Sequence, residues 1–263
     1  MTGLLAALPM YDWPEARAET DAEWAAIRER LAAAGIDAPE RLARRNADLP
    51  PVPGGIRDGE GRVVAPDPAL LPPDELDLPT LWRHPALLFG QTCWGPMETT
   101  GLAERVRVVG QADYSACEGG EGALYSSAIL MRRGDAPATA SRGLPVEALR
   151  GARLAYNDPC SMSGILALTR DLETLDLTLD IFGGRVETGS HRGSIGAVAR
   201  GEADICAVDC RTWALARRFE PAAAALSVVG WTAKRKGLPY ITAHGALADR
   251  VAAAFSPTGP RNR

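Results

Sequence analysis

The chain has 263 residues, of which 46% are hydrophobic and 24% are charged, and its formal net charge is −4. This composition is typical of a globular protein with one large domain or two modest ones. A mildly acidic balance gives no electrostatic footprint for nucleic acid or for an anionic membrane surface, so neither partner is expected. No apolar run approaches the ~20 residues of a membrane-spanning helix, so the sequence predicts no direct membrane span.

The N-terminus and the cysteines bear on localisation. The opening residues have no basic region, and their apolar stretch is short, so they do not resemble a signal peptide. The five cysteines are an odd number and lack the regular framework of small secreted proteins. Free thiols in a reducing compartment are the simpler interpretation. The chain as written is therefore predicted to be cytoplasmic, or periplasmic if a leader has been removed from it.

The first third of the chain predicts a strand, a helix and a long surface excursion. The opening segment is predicted to be a core strand ending at Tyr11. The run from Thr20 to Glu23 has the form of a capping box, and Gly35 supplies a C-terminal stop, so a helix is expected between them. Its buried face is formed by Trp24, Ile27 and Leu31. Residues 50–79 are dense in proline, glycine and aspartate, with one short ribbon expected around Val63.

The rest of the chain predicts an α/β fold. Residues 86–90 and 105–110 are compact β-rich runs that suit buried strands of a parallel sheet. From residue 120 onward, strands and helices alternate. The predicted strands are Ala128–Met131, Arg153–Tyr156, Arg185–Thr188, Asp204–Val208 and Leu226–Trp231. The predicted helices are Ser163–Leu172, Ser194–Arg200 and Arg211–Phe219. This alternation favours a parallel sheet covered by helices on both faces.

The most informative segment runs from Ala155 to Gly164, where a strand is followed by a polar turn and an amphipathic helix. Ser161 and Ser163 lie where this helix begins. The first N–H groups of a helix lack partners inside it and carry the positive end of the helix dipole. Two hydroxyl groups beside those N–H groups would form a neutral cradle for an anion. The alternative is that one serine is only an N-cap, which is common.

Two further strand ends carry polar side chains. His191 follows a strand and opens a helix, so it could donate to an anion oxygen, with Arg192 or Ser194 assisting. Asp209 ends a hydrophobic strand, at the edge where ligands of open α/β sheets bind. A carboxylate there suits a ligand that keeps a proton or carries an amine. The alternatives are a solvated loop histidine and an aspartate that only caps the next helix.

Several motifs are missing from the sequence. There is no Gly-x-x-x-x-Gly-Lys-Ser/Thr loop for nucleotides, and no Gly-x-Gly-x-x-Gly follows a strand. There is no Cys-x-x-Cys pair, because Cys206 and Cys210 are spaced one residue too far apart. The sequence therefore predicts neither a metal site nor a bound cofactor.

Ordered segments of the chain resemble the phosphate/phosphite/phosphonate-binding component of ABC transporters. The resemblance extends from Leu8 to about Thr242. The matching stretches are Leu8 to Asp12, Phe89 to Cys93, Tyr125 to Ile129, Asn157 to Gly164, Gly189 to His191, and Gly201 to Asp209. Any one of these motifs is weak, but the ordered set is specific.

The resemblance implies the type-II periplasmic-binding-protein fold, an α/β architecture of mixed, mostly parallel sheets flanked by helices. Its two lobes are joined by two crossover strands, expected near Tyr125–Met131 and Pro239–Thr242. Lobe 1 would take residues 1–121 and 241–263, lobe 2 would take 122–240, and the ligand would lie in the cleft between them. The implied ligand-binding residues are Tyr125, Ser161, Met162, Ser163, His191, Asp209, Trp94 and Tyr11. Met162 would contribute mainly its backbone N–H.

The resemblance also implies a function and its partners. The protein would capture a small anionic solute, phosphonate-, phosphate- or phosphite-like, for uptake through an ABC transporter permease, and would not be an enzyme. Two departures from the family pattern concern the ligand. Met162 stands where the family's Ser-Thr-Ser run has threonine, and the family's Cys-Gly-Tyr-Pro turn reads Cys93-Trp94-Gly95-Pro96. The implied binding site therefore loses one hydroxyl group, and one of its walls is enlarged. Both changes suggest a ligand with an organic substituent.

Two other functions stay open at this point. Cys160 lies at a helix N-terminus, which lowers a thiol pKa, so a cysteine-dependent enzyme could use His191 as base and Asp209 to orient it. The second alternative is a ligand sensor that acts through a separate partner protein, since the chain has no attached output domain.

Overall fold

The computed structural model of the chain describes residues 3–141 and 143–255. Its strands are β1 Leu5–Ala7, β2 Ile56–Arg57, β3 Val63–Ala65, β4 Leu87–Gln91, β5 Arg107–Gln111, β6 Gly120–Glu121, β7 Leu124–Tyr125, β8 Ser127–Arg132, β9 Arg153–Tyr156, β10 Gly184–Glu187, β11 Ile205–Asp209, β12 Leu226–Trp231, β13 Arg235–Lys236 and β14 Pro239–Thr242. Its α-helices are α1 Arg17–Ala33, α2 Leu78–Arg83, α3 Trp94–Thr99, α4 Val146–Leu149, α5 Ala167–Glu173, α6 His191–Ala199, α7 Cys210–Phe219 and α8 Ala248–Phe255. Within the described ranges, no helix is both long enough and apolar enough to cross a membrane.

The described chain divides into two compact units. The first unit takes its residues from 3–92, 96–111 and 238–255, and the second takes 93–95 and 112–237 without residue 142. The predicted lobe boundaries near residues 121 and 240 stay a prediction, and the part of lobe 1 assigned to residues 256–263 lies outside the described residues.

The first unit is built on a four-stranded mixed sheet in the order β1-β4-β14-β5. β1 runs parallel to β4, whereas β14 is antiparallel to both of its neighbours. Every residue of β4 is buried, and its Phe89 ring packs against Trp24 of α1 at a centroid distance of 5.9 Å and against Tyr240 of β14 at 4.9 Å. This aromatic core is held between α1 and the sheet.

The second unit is built on a five-stranded sheet in the order β10-β9-β11-β8-β12. β9, β10 and β11 are parallel to one another, whereas β8 is antiparallel to β11 and β12. A buried cluster that includes Leu154, Leu168, Leu172 and Ile205 fixes the helix at 167–173 against this sheet. Because the three parallel strands end at the same edge, the segments that follow them are brought together there.

Two predictions for the N-terminal third are wrong in detail. The first strand ends at Ala7 and not at Tyr11, because Pro9 has no N–H for a ladder and the chain turns there. The first helix begins at Arg17, and the residue predicted to cap it, Thr20, lies inside it with its hydroxyl directed at the carbonyl of Ala16. A 3-10 turn at Pro14–Ala16 starts the helix early, since proline suits a first helical turn.

Other predicted elements are close to those observed. Gly35 follows α1 with φ of 69°, the left-handed conformation that suits a helix stop, and Trp24, Ile27 and Leu31 are buried as expected. The strand predicted at residues 105–110 exists as β5, but it is an antiparallel edge strand paired with β14, and Val108 is 36% exposed. An edge strand has one unpaired side and a partly exposed face, which its apolar composition does not reveal.

Candidate anion-binding site

Three polar side chains meet where the parallel strands of the second unit end. Ser163 follows β9, His191 follows β10, and Asp209 is the last residue of β11. Ser163 Oγ lies 2.8 Å from His191 Nε2, which in turn lies 3.7 Å from Asp209 Oδ2. The sheet therefore assembles one polar cluster from segments that are far apart in sequence.

The helix that follows β9 begins with a π turn at Met162–Leu166 and continues as α5. Ser161 is its N-cap, and the Ser161 hydroxyl accepts a hydrogen bond of 3.1 Å from the N–H of Gly164. The expectation that one serine only caps the helix thus applies to Ser161. The Ser163 hydroxyl does not cap the helix and is hydrogen-bonded to His191 instead.

His191 is the first residue of α6 and not part of a loop, because Ser190 caps that helix by accepting from the N–H of Gly193 at 3.0 Å. The predicted helix start at Ser194 is therefore three residues late. His191 Nδ1 is buried and makes no hydrogen bond with any residue of the described chain. Burial lowers the pKa of His191, and the Asp209 carboxylate acts in the opposite direction. The imidazole is therefore held neutral, with one ring nitrogen unsatisfied.

Asp209 has two roles that the sequence analysis treated as alternatives. Its Oδ1 accepts a hydrogen bond of 2.9 Å from the N–H of Thr212, so it caps α7. Its Oδ2 faces His191. Ser127 is the directly opposite residue on β8, so the two side chains share a face of the sheet. The Ser127 hydroxyl is buried and, within the described ranges, has no hydrogen-bond partner.

Tyr125 adds a buried hydroxyl to this cluster. The residue is 2% exposed, and its hydroxyl makes no hydrogen bond of good geometry with the described residues. Burial raises the pKa of Tyr125 well above its ordinary value, the Cys93 thiol and the Asp209 carboxylate raise it further, and the Ser163 hydroxyl lowers it. The ring stacks on Tyr114 at a centroid distance of 5.4 Å. The hydroxyl is thus a rigidly held, protonated donor.

Cys93 is a member of the cluster that sequence reasoning did not select. The backbone N–H groups of Gly95 and Met162 donate to its thiol, and burial raises the pKa of Cys93 to about 11. The N–H of Met162, predicted to face the ligand, is therefore occupied by sulfur. The Met162 thioether accepts from Arg170 Nη1 at 3.6 Å, two turns along the same helix. The only available signal for Cys93 was its place beside Trp94 in the family-like turn.

The remaining predicted residues differ in position. Trp94 is half-buried, and its Nε1 donates to the carbonyl of Gly237 at 2.7 Å. Tyr11 is buried and belongs to the first unit, shortly after β1. Arg192 is paired with Glu220 at 2.6 Å, and Ser194 is bonded to Thr188 at 2.7 Å, so neither assists His191.

The chemistry of the cluster follows from its groups. Imidazole, phenol and serine hydroxyls are neutral donors, and Asp209 is its one carboxylate. Buried donors without partners are costly unless a ligand or water satisfies them. No group of three or more His, Cys, Asp or Glu side chains in residues 3–141 and 143–255 is placed to hold a metal ion. The arrangement suits hydrogen bonding to a small anion that itself carries a proton.

The depressed pKa of His191 predicts a pH dependence of stability. The unfolded histidine has a pKa near 6.5, so below about pH 6.5 the unfolded chain binds more protons than the native one. The free energy of unfolding should therefore fall as the pH drops below that value and should change little above it.

Burial also lowers the pKa of His84, so this residue serves as the comparison. Denaturant unfolding at pH 7.5 and 5.5 should show a smaller acid loss in His191→Gln than in wild type. An unchanged acid loss in that variant, with a reduced loss in His84→Gln, would contradict the buried neutral state of His191.

Comparison with known proteins identifies the family. The family model described as the periplasmic substrate-binding protein of phosphonate ABC transporters matches residues 95–257, more than half of the chain. No curated protein sequence matches significantly.

Solved structures show the same fold. PhnD1 from Prochlorococcus marinus MIT 9301, in complex with methylphosphonate, has a TM-score of 0.61 at 13% identity, over 97% of this chain and 84% of its own. A binding-protein component of an ABC phosphonate transporter from Pseudomonas aeruginosa has a TM-score of 0.58 at 13% identity, over 95% and 72%. XAC2383 from Xanthomonas citri, bound to chloride, has a TM-score of 0.54 at 17% identity, over 96% and 82%.

These likenesses confirm the type-II periplasmic-binding-protein fold predicted from the sequence. The family match confirms the family resemblance found in the sequence. It also confirms a solute-binding role with a transporter as partner, and it excludes the alternative of a cysteine-dependent enzyme. The chain belongs to the family of phosphonate-type periplasmic substrate-binding proteins of ABC transporters.

Proposed function

We propose that the protein binds an organophosphonate, or a similar small phosphorus oxyanion, at the cluster of Ser163, His191, Asp209 and Tyr125 and delivers it to an ABC transporter permease. The observation that carries this proposal is a pair of buried groups that have no partner in the described part of the chain: the Tyr125 hydroxyl, and His191 Nδ1, which carries the ring proton when Nε2 accepts from the Ser163 hydroxyl. Buried donors beside a helix N-terminus favour an anionic oxygen as the missing acceptor.

The first turn of the helix at residue 162 supplies a further donor. Its Gly164 N–H is used by the Ser161 cap, and its Met162 N–H is used by the Cys93 thiol. The Ser163 N–H lies between these two N–H groups in the same first turn. A ligand oxygen at this position would interact with the positive end of the helix dipole as well as with the Ser163 hydroxyl.

Asp209 favours a ligand that keeps one proton. Its carboxylate is 5% exposed and faces the same cluster, where it would repel a dianion and accept a hydrogen bond from a protonated oxygen or an amine. A phosphonate monoanion provides both an acceptor oxygen for the imidazole and phenol and an O–H for Asp209. The proposed ligand therefore matches donors and acceptor together.

Met162 supports an organic substituent on the ligand. The family's threonine hydroxyl is replaced here by a thioether that is directed along its own helix to Arg170. One fewer hydroxyl suits a ligand with one fewer oxygen, which is the difference between a phosphonate and inorganic phosphate. We therefore place alkyl- and aminoalkylphosphonates ahead of phosphate.

The compartment bears on the proposed transporter. The description of the family places its members in the periplasm, where the permease would receive the solute. In contrast, all five cysteines are free, which suits a reducing compartment. The cytoplasmic localisation therefore stays a prediction. Cell fractionation of the full-length natural protein separates these two locations.

The geometry gives no support to either alternative function. The Nε2 atom of His191 contacts Ser163 and Asp209, whereas the backbone of Cys160 turns towards Asp158, with its N–H 2.6 Å from Asp158 Oδ1. No feature of the described residues points to a signalling partner, so a sensor role is not proposed.

Calorimetry with a panel of small anions tests the proposal. The panel consists of methylphosphonate, aminoethylphosphonate, phosphite, phosphate, sulfate and acetate. We expect submillimolar binding of the phosphonates and weaker binding of phosphate, with a matching rise in melting temperature for each binder. Absence of heat and of thermal shift with every phosphorus oxyanion would refute the ligand class, and equal binding of sulfate would refute the role of the ligand proton.

Asp209→Asn isolates the role of the carboxylate. Asparagine caps a helix as well as aspartate does, so the melting temperature should be retained. Loss of a hydrogen bond to a charged acceptor should raise the Kd for methylphosphonate about tenfold or more at pH 6, where the ligand keeps its proton. An unchanged Kd at pH 6 would show that Asp209 does not receive the ligand's proton.

A further inference from the structure

A surface cavity of about 380 Å³ lies in the second unit, beside the C-terminal half of α7. Its walls also include residues of the 3-10 turn at Pro221–Ala225 and Arg133, the residue after β8. α7 has 10 residues and begins directly after Asp209, and a helix of that length is about 15 Å long. The cavity is therefore at the opposite end of α7 from the cluster proposed to bind the solute.

The lining of this cavity is rich in positive charge. Arg133, Arg217 and Arg218 contribute three guanidinium groups, and among the described residues that line the cavity the one carboxylate is that of Glu220. Glu220 is already engaged, because its Oε2 lies 2.6 Å from Arg192 Nε. The three arginines thus concentrate positive charge at one place on a chain whose formal net charge is −4.

Two of the three guanidinium groups are ordered by their own surroundings. Arg133 Nε donates to the carbonyl of Ala224 at 2.8 Å, and its Nη1 and Nη2 groups are not part of this bond. Arg218 stacks over the ring of Phe219, with 4.5 Å between its Cζ atom and the ring centroid. A guanidinium that is already ordered loses less conformational entropy when it binds an anion.

Helix stability explains only part of this arrangement. Positive side chains in the last turn of a helix interact favourably with the negative end of its dipole, which accounts for Arg217 and Arg218. Arg133 comes from a different element and brings a third positive charge to the same cavity. Like charges repel one another, and an anion bound among the three arginines would offset this repulsion.

The rest of the lining is mostly apolar. It includes the side chains of Trp213, Phe219, Pro221, Ala223 and Ala224. The volume is at the lower end of the range of small-molecule sites, roughly 300–1,000 Å³. Arginine binds acid groups through paired N–H donors, whereas an apolar wall contacts the hydrophobic part of a ligand. Guanidinium groups beside an apolar wall therefore suit an organic molecule that carries several acid groups.

We propose that this cavity is a second binding site, which takes a planar organic polyanion with an apolar ring and at least two carboxylate or phosphate groups. The ring contacts the aromatic and alanine side chains of the wall. The acid groups accept hydrogen bonds from Arg133, Arg217 and Arg218. Because these arginines are at the far end of α7 from Asp209, the second site does not depend on the function proposed for the solute-binding cluster.

Calorimetry at low ionic strength with trimesate, a benzene ring that carries three carboxylates, tests the proposal. We expect one trimesate per chain, bound at least about tenfold more tightly than benzoate, which has a single carboxylate. Arg217→Gln should raise the Kd for trimesate about tenfold, the loss expected for a hydrogen bond between charged groups. The matched control is Arg185→Gln, which removes an exposed arginine on β10 in the same unit, outside the cavity. Its Kd should equal that of wild type.

Both substitutions are at exposed positions, so both variants should keep the fold. Tyr125→Phe, or a large excess of methylphosphonate, should leave the Kd for trimesate unchanged, whether or not methylphosphonate binds. Loss of trimesate binding in either case would place it in the solute-binding cluster and overturn the proposal. Equal weakening in Arg217→Gln and Arg185→Gln would overturn it as a general effect of charge. Equally tight binding of citrate, which has three carboxylates and no ring, would overturn the role of the apolar wall and the proposal with it.

Discussion

Replacing Gly95 with alanine is expected to lower the free energy of unfolding by about 3 kcal/mol and to weaken methylphosphonate binding at least about tenfold. A methyl group at residue 95 would overlap the carbonyl oxygen of Cys160 and would meet the backbone nitrogen of Met162 at 3.0 Å. These are backbone atoms, so no side-chain rotation relieves the clash. The turn that starts the helix at residue 162 would have to move.

That turn cannot move alone. The N–H of Ser161 donates to the carbonyl of Asp158 at 3.0 Å, and the N–H of Cys160 donates to Asp158 Oδ1 at 2.6 Å. A shift of Cys160 therefore displaces Ser161 and Ser163, and the bond between Ser163 and His191 is lost with them. Stability and affinity should fall together.

Gly134→Ala is the matched control for Gly95→Ala. Gly134 is in the same unit, in the turn after β8, and an added methyl group would meet no atom within 4 Å. Its stability should be unchanged or slightly increased, by about 0.5 kcal/mol, because alanine restricts the unfolded chain. Chemical denaturation and calorimetry measure both variants. A Gly95→Ala protein with wild-type stability and affinity would show that residue 95 does not lie against the helix start.

The order of strands and turns could be predicted from the sequence because it depends on local patterns. β9 and β12 have the predicted bounds, and the polar residues after β9, β10 and β11 were selected because a parallel sheet gathers strand ends at one edge. Helix starts were less accurate. The helix after β10 was expected to begin at Ser194, because the sequence does not show which serine, Ser190 or Ser194, caps it.

The long-range partners could not be predicted. Cys93 and Met162 are distant in sequence, so the contact between the thiol and the backbone N–H has no local pattern. Contacts of this kind arise when elements pack, and hydrophobic periodicity indicates which elements pack but not which polar groups then meet.

Tyr125→Phe should separate affinity from stability. The Tyr125 hydroxyl is buried without a partner in the described chain, so its removal eliminates an unsatisfied group and breaks no hydrogen bond within the protein. The melting temperature should therefore stay the same or rise. If the hydroxyl donates to the ligand, the Kd for methylphosphonate should increase about tenfold, which corresponds to ~1.4 kcal/mol.

Tyr240→Phe gives the opposite pattern and serves as the control. Tyr240 is in the first unit, is 6% exposed, and its hydroxyl donates to Glu23 Oε1 at 2.8 Å. Removing that hydroxyl should lower the free energy of unfolding by about 1 kcal/mol and leave the Kd unchanged. Thermal unfolding without ligand and calorimetry with methylphosphonate distinguish the two variants. If Tyr125→Phe loses stability and keeps its affinity, the Tyr125 hydroxyl has a structural role and does not donate to the oxyanion. Of the two buried groups on which the proposed function depends, only His191 Nδ1 would then remain.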